Sequence, residues 1–147
     1  MTEIKPTAPV DKVYLDAPHI SIRWNHSFPW VVVEWKAWTD SASFRSAYDT
    51  ILVAVRENRA SGVLIDLRKA RVLADDDQKW IVEDWGPRSI QAGVRRRAIV
   101  APERSLPRTI SESVRARVPT GLLEVRAFGT MEEAVGWLSG RSFSPKA

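Results

Sequence analysis

The sequence predicts an α/β domain with an N-terminal β-hairpin followed by helices and strands in alternation, on a mixed, mostly parallel sheet of about five strands. Three observations carry this. Alternating apolar residues at Ile20, Ile22 and Trp24, and again at Val31, Val33 and Trp35, flank a turn-rich Asn25–Pro29 and mark an antiparallel pair. Val63-Leu64-Ile65 is apolar on consecutive residues, the pattern of an inner strand covered on both faces. Helix-spaced segments then separate three such runs.

Each element has its own reason. Lys12–Leu15 reads as a short extended piece. From Ser43 to Asn58 the apolar residues Phe44, Ala47, Tyr48, Ile51, Leu52 and Val55 fall at helical spacing, with Thr39, Asp40 and Ser41 as candidate N-caps. Gly62 opens the next strand, which ends in Asp66-Leu67-Arg68-Lys69. A helix is expected from Asp75, with Gln78 at capping-box spacing and Gly93 as its C-terminal cap. Pro87 has no N–H for the carbonyl of Glu83, which predicts a kink or break beside Gly86. Arg97–Ala101 is the following strand, Thr109–Val118 a short helix, and Leu122–Phe128 a strand near an edge. Thr130 and Glu133 form a capping box for the last helix, whose core face is Ala134, Trp137 and Leu138. The expected organisation is a flexible tail over 1–11, one domain over 12–140 and a C-terminal tail over 141–147.

Composition bounds the function. A chain of 147 residues with 44% hydrophobic and 27% charged residues suits one soluble domain that buries its own core. It has no cysteine, which removes thiol chemistry and fits a reducing cytoplasmic location. No apolar run has the ~20 residues of a membrane helix. The net charge of +4 is uneven: residues up to Ala92 carry 12 basic and 13 acidic groups, and those from Gly93 carry 10 and 5.

The motifs that carry known chemistries are missing: no HExxH, Walker loop, GxGxxG or Gly-x-Ser-x-Gly occurs. His19 and His26 read as surface residues rather than a metal pair with Asp16. Asp75-Asp76-Asp77 points in three directions on a helix and reads as capping, at the positive end of the dipole. Asp66 and Arg68 share parity at a strand end, where they pair locally or anchor a ligand. The Arg95-Arg96-Arg97 cluster, with Arg104, Arg108, Arg115 and Arg117, lacks interleaved aromatics as stacking platforms, so nucleic acid is not the expected partner. Of the seven tryptophans, Trp30 and Trp38 are the less easily buried, since Trp30 has the parity of Glu34 and Lys36 and Trp38 falls in a strand-end loop; they are expected either exposed, as an interface or pocket wall, or partly buried under the N-terminal tail.

The order of elements and several local pieces resemble the STAS/SpoIIAA-like superfamily, and most closely its small bacterial STAS/SEC14-like members. The pieces are Glu34-Trp35, Leu64-Ile65-Asp66-Leu67-Arg68, Asp77-Gln78-Lys79-Trp80, Gly93, Phe128, Glu133-Ala134 and Trp137-Leu138. The resemblance implies a non-enzymatic regulatory domain that binds a protein partner or itself and needs no cofactor. It implies, as an alternative, a module for a small apolar ligand or lipid, with a slot opened by the kink at Gly86-Pro87. An enzyme using Asp66 is a third reading. Signalling members of the superfamily carry an Asp-Ser-Ser-Gly-type turn that a partner kinase phosphorylates. Here that turn is Asp66-Leu67-Arg68-Lys69, and no hydroxyl residue lies between Ser61 and Ser89. Two cations stand where a phosphate would add negative charge, so the expected partner brings an acidic or phosphorylated group. The expected interaction or ligand-binding residues are Asp66, Arg68, Lys69, Trp38, Glu103 and Arg104.

Overall fold

Six strands run across a single sheet in the order of the sequence. The structure is a computed structural model that describes residues 11–37, 39–69, 74–101 and 123–140. Strands β1 (Lys12–Asp16), β2 (Ile20–Asn25) and β3 (Trp30–Trp35) are antiparallel neighbours. β4 (Gly62–Asp66), β5 (Arg96–Val100) and β6 (Glu124–Phe128) follow as parallel neighbours of β3 and of one another. The sheet therefore has one strand more than about five. The Lys12–Leu15 piece is a full edge strand, with a register shift between Val13 and Leu15 of the kind that bends and blunts an edge.

Helix α1 (Ser41–Asn58) begins where Asp40 accepts the Ser43 N–H at 2.7 Å, so Asp40 is the N-cap among the three candidates. It stops at Arg59, which takes a left-handed φ of 52°. Its apolar stripe of Phe44, Ala47, Tyr48, Ile51, Leu52 and Val55 is buried as the spacing predicts. It packs on the face of the sheet formed by Ile20, Ile22, Val31, Val33, Trp35, Val63 and Ile65.

The second helical region runs through α2 (Asp75–Trp80), a π turn (Ile81–Trp85) and α3 (Gly86–Ala92). It starts at Asp75, but the expected capping box is not formed: Ala74 is the N-cap, and it has no side-chain hydrogen bond to offer. The helix does not break beside Gly86 either. Gly86 keeps right-handed helical angles, and its N–H donates to the carbonyl of Ile81, five residues back. The wider π turn absorbs the missing Pro87 donor without breaking the helix. It also explains the glycine, because a Cβ on Gly86 would lie 2.9 Å from the Ile81 oxygen. Gly93 closes α3 with φ of 114°.

Helix α4 (Met131–Leu138) covers the opposite face of the sheet. Thr130 Oγ1 accepts the Glu133 N–H and donates its hydroxyl to Glu133 Oε1, both at 3.2 Å, so the predicted Thr130/Glu133 pair caps the helix. Ala134, Trp137 and Leu138 pack on Trp30, Val32, Leu64, Ala98 and Val100. Trp30 is thereby buried and stacked on Phe28, rather than exposed or only partly covered. Parity placed it correctly on the face of Glu34, but that face is covered at the Trp30 end by α4. The expected helix Thr109–Val118 lies outside the described residues. Among the described residues no helix is long and apolar enough to cross a membrane.

Candidate functional site

The carboxyl end of β4 brings together Asp66 and Arg68. Asp66 falls on the α4 face, opposite Glu34 of β3 in register. Its Oδ1 accepts from the backbone N–H and the Nε of Arg68, each at 3.0 Å, and its Oδ2 accepts from Arg68 Nη2 at 2.8 Å. The backbone contact is an Asx-type turn two residues on, and the side-chain pair is a forked Arg–carboxylate contact. Leu67 between them donates its N–H to Val100 at 2.7 Å and so ties the turn to β5.

Asp66 is buried while the Arg68 side chain is 48% exposed. Burial pushes the Asp66 carboxyl up, but the Arg68 hydrogen bonds, then its charge and that of Lys69, outweigh this and hold it below the usual 3.8. A carboxylate held this way is a weak proton acceptor. The turn thus presents a fixed guanidinium and the exposed Lys69. Trp38, Glu103 and Arg104 lie outside the described residues.

The three aspartates of α2 differ in role. Asp77 alone is buried, and it accepts from Ser41 Oγ at 2.9 Å and from Arg45 Nε at 3.2 Å, which joins α2 to the first turn of α1. Among the described residues no group of three or more His, Asp or Glu is placed to hold a metal ion.

The arginine cluster is divided among three tasks. Arg95 Nη1 donates to the carbonyls of Ile90 and Val94 and closes the end of α3. Arg96 donates to the Trp137 carbonyl at 2.8 Å and pairs with Glu124 at 3.3 Å. Arg97 points the other way, into the core shared with α1 and the π turn, where it is 3% exposed.

Sequence reasoning grouped Arg97 with its neighbours and missed its burial. The signal was its parity with Ile99 on a strand covered on both faces. In register it stands between Val63 and Val125. Its guanidinium carbon is 5.1 Å from the ring centre of the fully buried Trp85. Tyr48 packs edge-on to Trp85 at 4.9 Å and stacks near Trp35 at 6.1 Å. Burial lowers Arg97 to about 10, which the nearby Tyr48 only partly offsets, so it is charged at neutral pH.

Arg97 Nε and Nη1 have no hydrogen-bond partner among the described residues, and neither has the buried Trp35 Nε1. The indole nitrogen lies near enough to the Tyr48 hydroxyl to lower its pKa slightly without reaching hydrogen-bond geometry. A desolvated cation–π contact supplies about 2 kcal/mol. Burying an ion costs several kcal/mol, and each orphaned donor about 1–3 kcal/mol more. Trp85 alone therefore does not balance Arg97.

The fold defines the class of the protein as α/β with a mixed six-stranded sheet that starts with a β-hairpin. No protein-family model matches the chain, and no curated protein does.

Proposed function

We propose that this chain is a STAS-like, non-enzymatic domain that works by binding a protein, either a second copy or a partner with an acidic or phosphorylated surface. The observation that supports this reading is the Asp66–Arg68 fork. It engages the Asp66 carboxylate, which weakens it as a general base, and fixes Arg68 beside the exposed Lys69 at the end of the parallel strands, where α/β sheets meet ligands and partners. The hydroxyl that signalling relatives of this layout use as a switch is replaced by charge that needs no modification. Attraction through such a turn sets on-rate and specificity and weakens as salt rises.

The test is self-association by sedimentation and partner capture from the native host, each at about 50 and 300 mM salt, with wild type, Lys69→Glu and Arg68→Glu. Lys69→Glu leaves the Asp66 fork in place and isolates the surface charge. The expected result is an association that falls with salt and with either charge reversal. If every association observed is indifferent to both variants, the reading is lost.

A further inference from the structure

Strand β6 pairs with β5 in parallel from Glu124 to Phe128 without a register shift, and among the described residues no strand lies on its far side. The Glu124 N–H donates to the Arg95 carbonyl, and the Phe128 carbonyl accepts the Ala101 N–H. Residues of that parity turn their backbone groups toward β5, so Leu123, Val125 and Ala127 turn theirs outward. The opposite edge, β1, is blunted by its register shift; β6 is not. Its side chains add a second observation. Glu124 and Arg126 share the α4 face, in register with Arg96 and Ala98. Glu124 accepts from Arg96 Nε at 3.3 Å. The Arg126 guanidinium carbon lies 5.6 Å from the Trp137 ring centre. Unlike Arg45, Arg68, Arg88 and Arg96, it has no carboxylate partner among the described residues.

We propose that β6 is a self-pairing edge, through which a second copy of this chain joins antiparallel about a two-fold axis at Val125. That axis sets Val125 opposite itself, Leu123 opposite Ala127, and Glu124 opposite Arg126 of the partner subunit. The outward backbone groups of Leu123, Val125 and Ala127 then all fall in hydrogen-bonded pairs. Glu124 and Arg126 fall in the closer, non-hydrogen-bonded pairs, and the ion pair forms twice. Each Arg126 thereby gains the carboxylate it lacks within its own chain. An axis one residue on, at Arg126, would set the two arginines against each other. Charges on an edge strand ordinarily keep other strands away; here their symmetric placement about Val125 makes the strand its own complement. Five residues a side is less than a stable interface buries, so the dimer is weak, with a Kd on the order of 10–100 µM. The edge lies two strands from the Asp66–Arg68 turn, and the pairing does not rest on what that turn binds.

The experiment is sedimentation of the full chain from about 5 to about 500 µM. A reversible monomer–dimer equilibrium is expected. Arg126→Glu and Glu124→Arg should each weaken it by at least about tenfold. An equimolar mixture of the two variants should associate more tightly than either alone, because acid again faces base at both pairs. Lys69→Glu should leave the dimer intact. The proposal is overturned by a chain that stays monomeric throughout, its edge charges then acting only to keep strands apart. It is also overturned if Arg126→Glu dimerises like wild type, or if the mixture is no tighter than its components. Self-association lost in Lys69→Glu but kept in Arg126→Glu would overturn the β6 pairing and leave the reading of the Asp66–Arg68 turn standing. The chain has no cysteine, so a mixture of Glu124→Cys and Arg126→Cys reads the register even if Glu124→Arg does not fold. Opposed residues at such a pair lie about 4.5 Å apart, within disulfide reach. The mixed disulfide should form several-fold faster than either variant's disulfide with itself; equal rates would overturn the register.

Discussion

Trp30 lies against the backbone of Gly62: a Cβ placed on Gly62 would come within 2.9 Å of the indole Cδ1 and 3.3 Å of Leu138 Cδ2. β4 carries no side chain here because β3 and α4 fill the space over it. Gly62 has no left-handed φ, so the constraint is steric. Gly62→Ala is expected to lower stability by about 1–3 kcal/mol through overpacking. Gly136 in α4 has nothing within 4 Å of its Cβ position, and Gly136→Ala is expected to raise stability by about 0.5–1 kcal/mol. Urea unfolding followed by tryptophan fluorescence measures both. Similar effects from the two substitutions would contradict the packing described.

The three aspartates of α2 separate by what they touch. Asp77 is buried between Ser41 and Arg45, while Asp75 and Asp76 are exposed. Asp77→Ala leaves a partly buried guanidinium and a hydroxyl without their acceptor, and about 1.5–3 kcal/mol of stability is expected to go with it. Asp75→Ala and Asp76→Ala are expected to stay within about 0.5 kcal/mol of wild type. Hydrogen exchange adds a local readout, since Asp77→Ala should speed exchange in the first turn of α1 and in α2 before it affects β4. Equal costs at the three positions would mean the helix dipole, not the buried contact, is what the run serves.

These two cases show what the sequence could and could not disclose. The hairpin, α1, β4 and α4 follow from periodicity and caps, because Phe44 through Val55 and the Thr130/Glu133 box are local patterns. The burial of Trp30 is not legible, because parity says which face a residue is on, but not whether an element about a hundred residues later covers it. The cap before Asp75 is not legible either, because capping-box spacing fits a residue one position inside the helix as well as one at its end. The π turn was hidden because Pro87 predicts a lost hydrogen bond, and the sequence does not say whether the helix breaks or widens. At the site, the Asp66–Arg68 pair was legible from shared parity at a strand end. The burial of Arg97 was not, since a basic run reads as surface until the strand's two covered faces are known.

Asp66 makes stability depend on acid in a defined direction. Its folded pKa is held below 3.8 after the Arg68 contacts outweigh burial. Its contribution is therefore complete above the unfolded pKa, near 3.9, and disappears as pH falls through the lower folded value. Asp66→Asn is expected to cost about 1–3 kcal/mol at pH 7, and the gap to wild type should narrow below about pH 4. A double-mutant cycle with Arg68→Ala should show coupling of about 1 kcal/mol, modest because Arg68 is half exposed. A constant gap down to pH 2 would detach this carboxylate from the acid response.

Arg97 and Tyr48 set opposing slopes at high pH. Burial lifts Tyr48 from 10 to about 12, and it lowers Arg97 from 12.5 to about 10. Between these limits the folded chain keeps a Tyr48 proton that the unfolded chain releases, so that contribution falls as pH rises. Over the same window the folded chain releases the Arg97 proton that the unfolded chain keeps, so that contribution rises. Tyr48→Phe removes the first effect and leaves the second. The variant should therefore gain on wild type as pH increases from 10 toward 12, by up to ~1.4 kcal/mol per pH unit. Urea midpoints at pH 9, 10 and 11 read the difference directly, because the solvent-exposed lysines titrate alike in both proteins. Parallel curves for the two proteins would show that Tyr48 titrates normally and that the aromatic pocket around Arg97 is open to water.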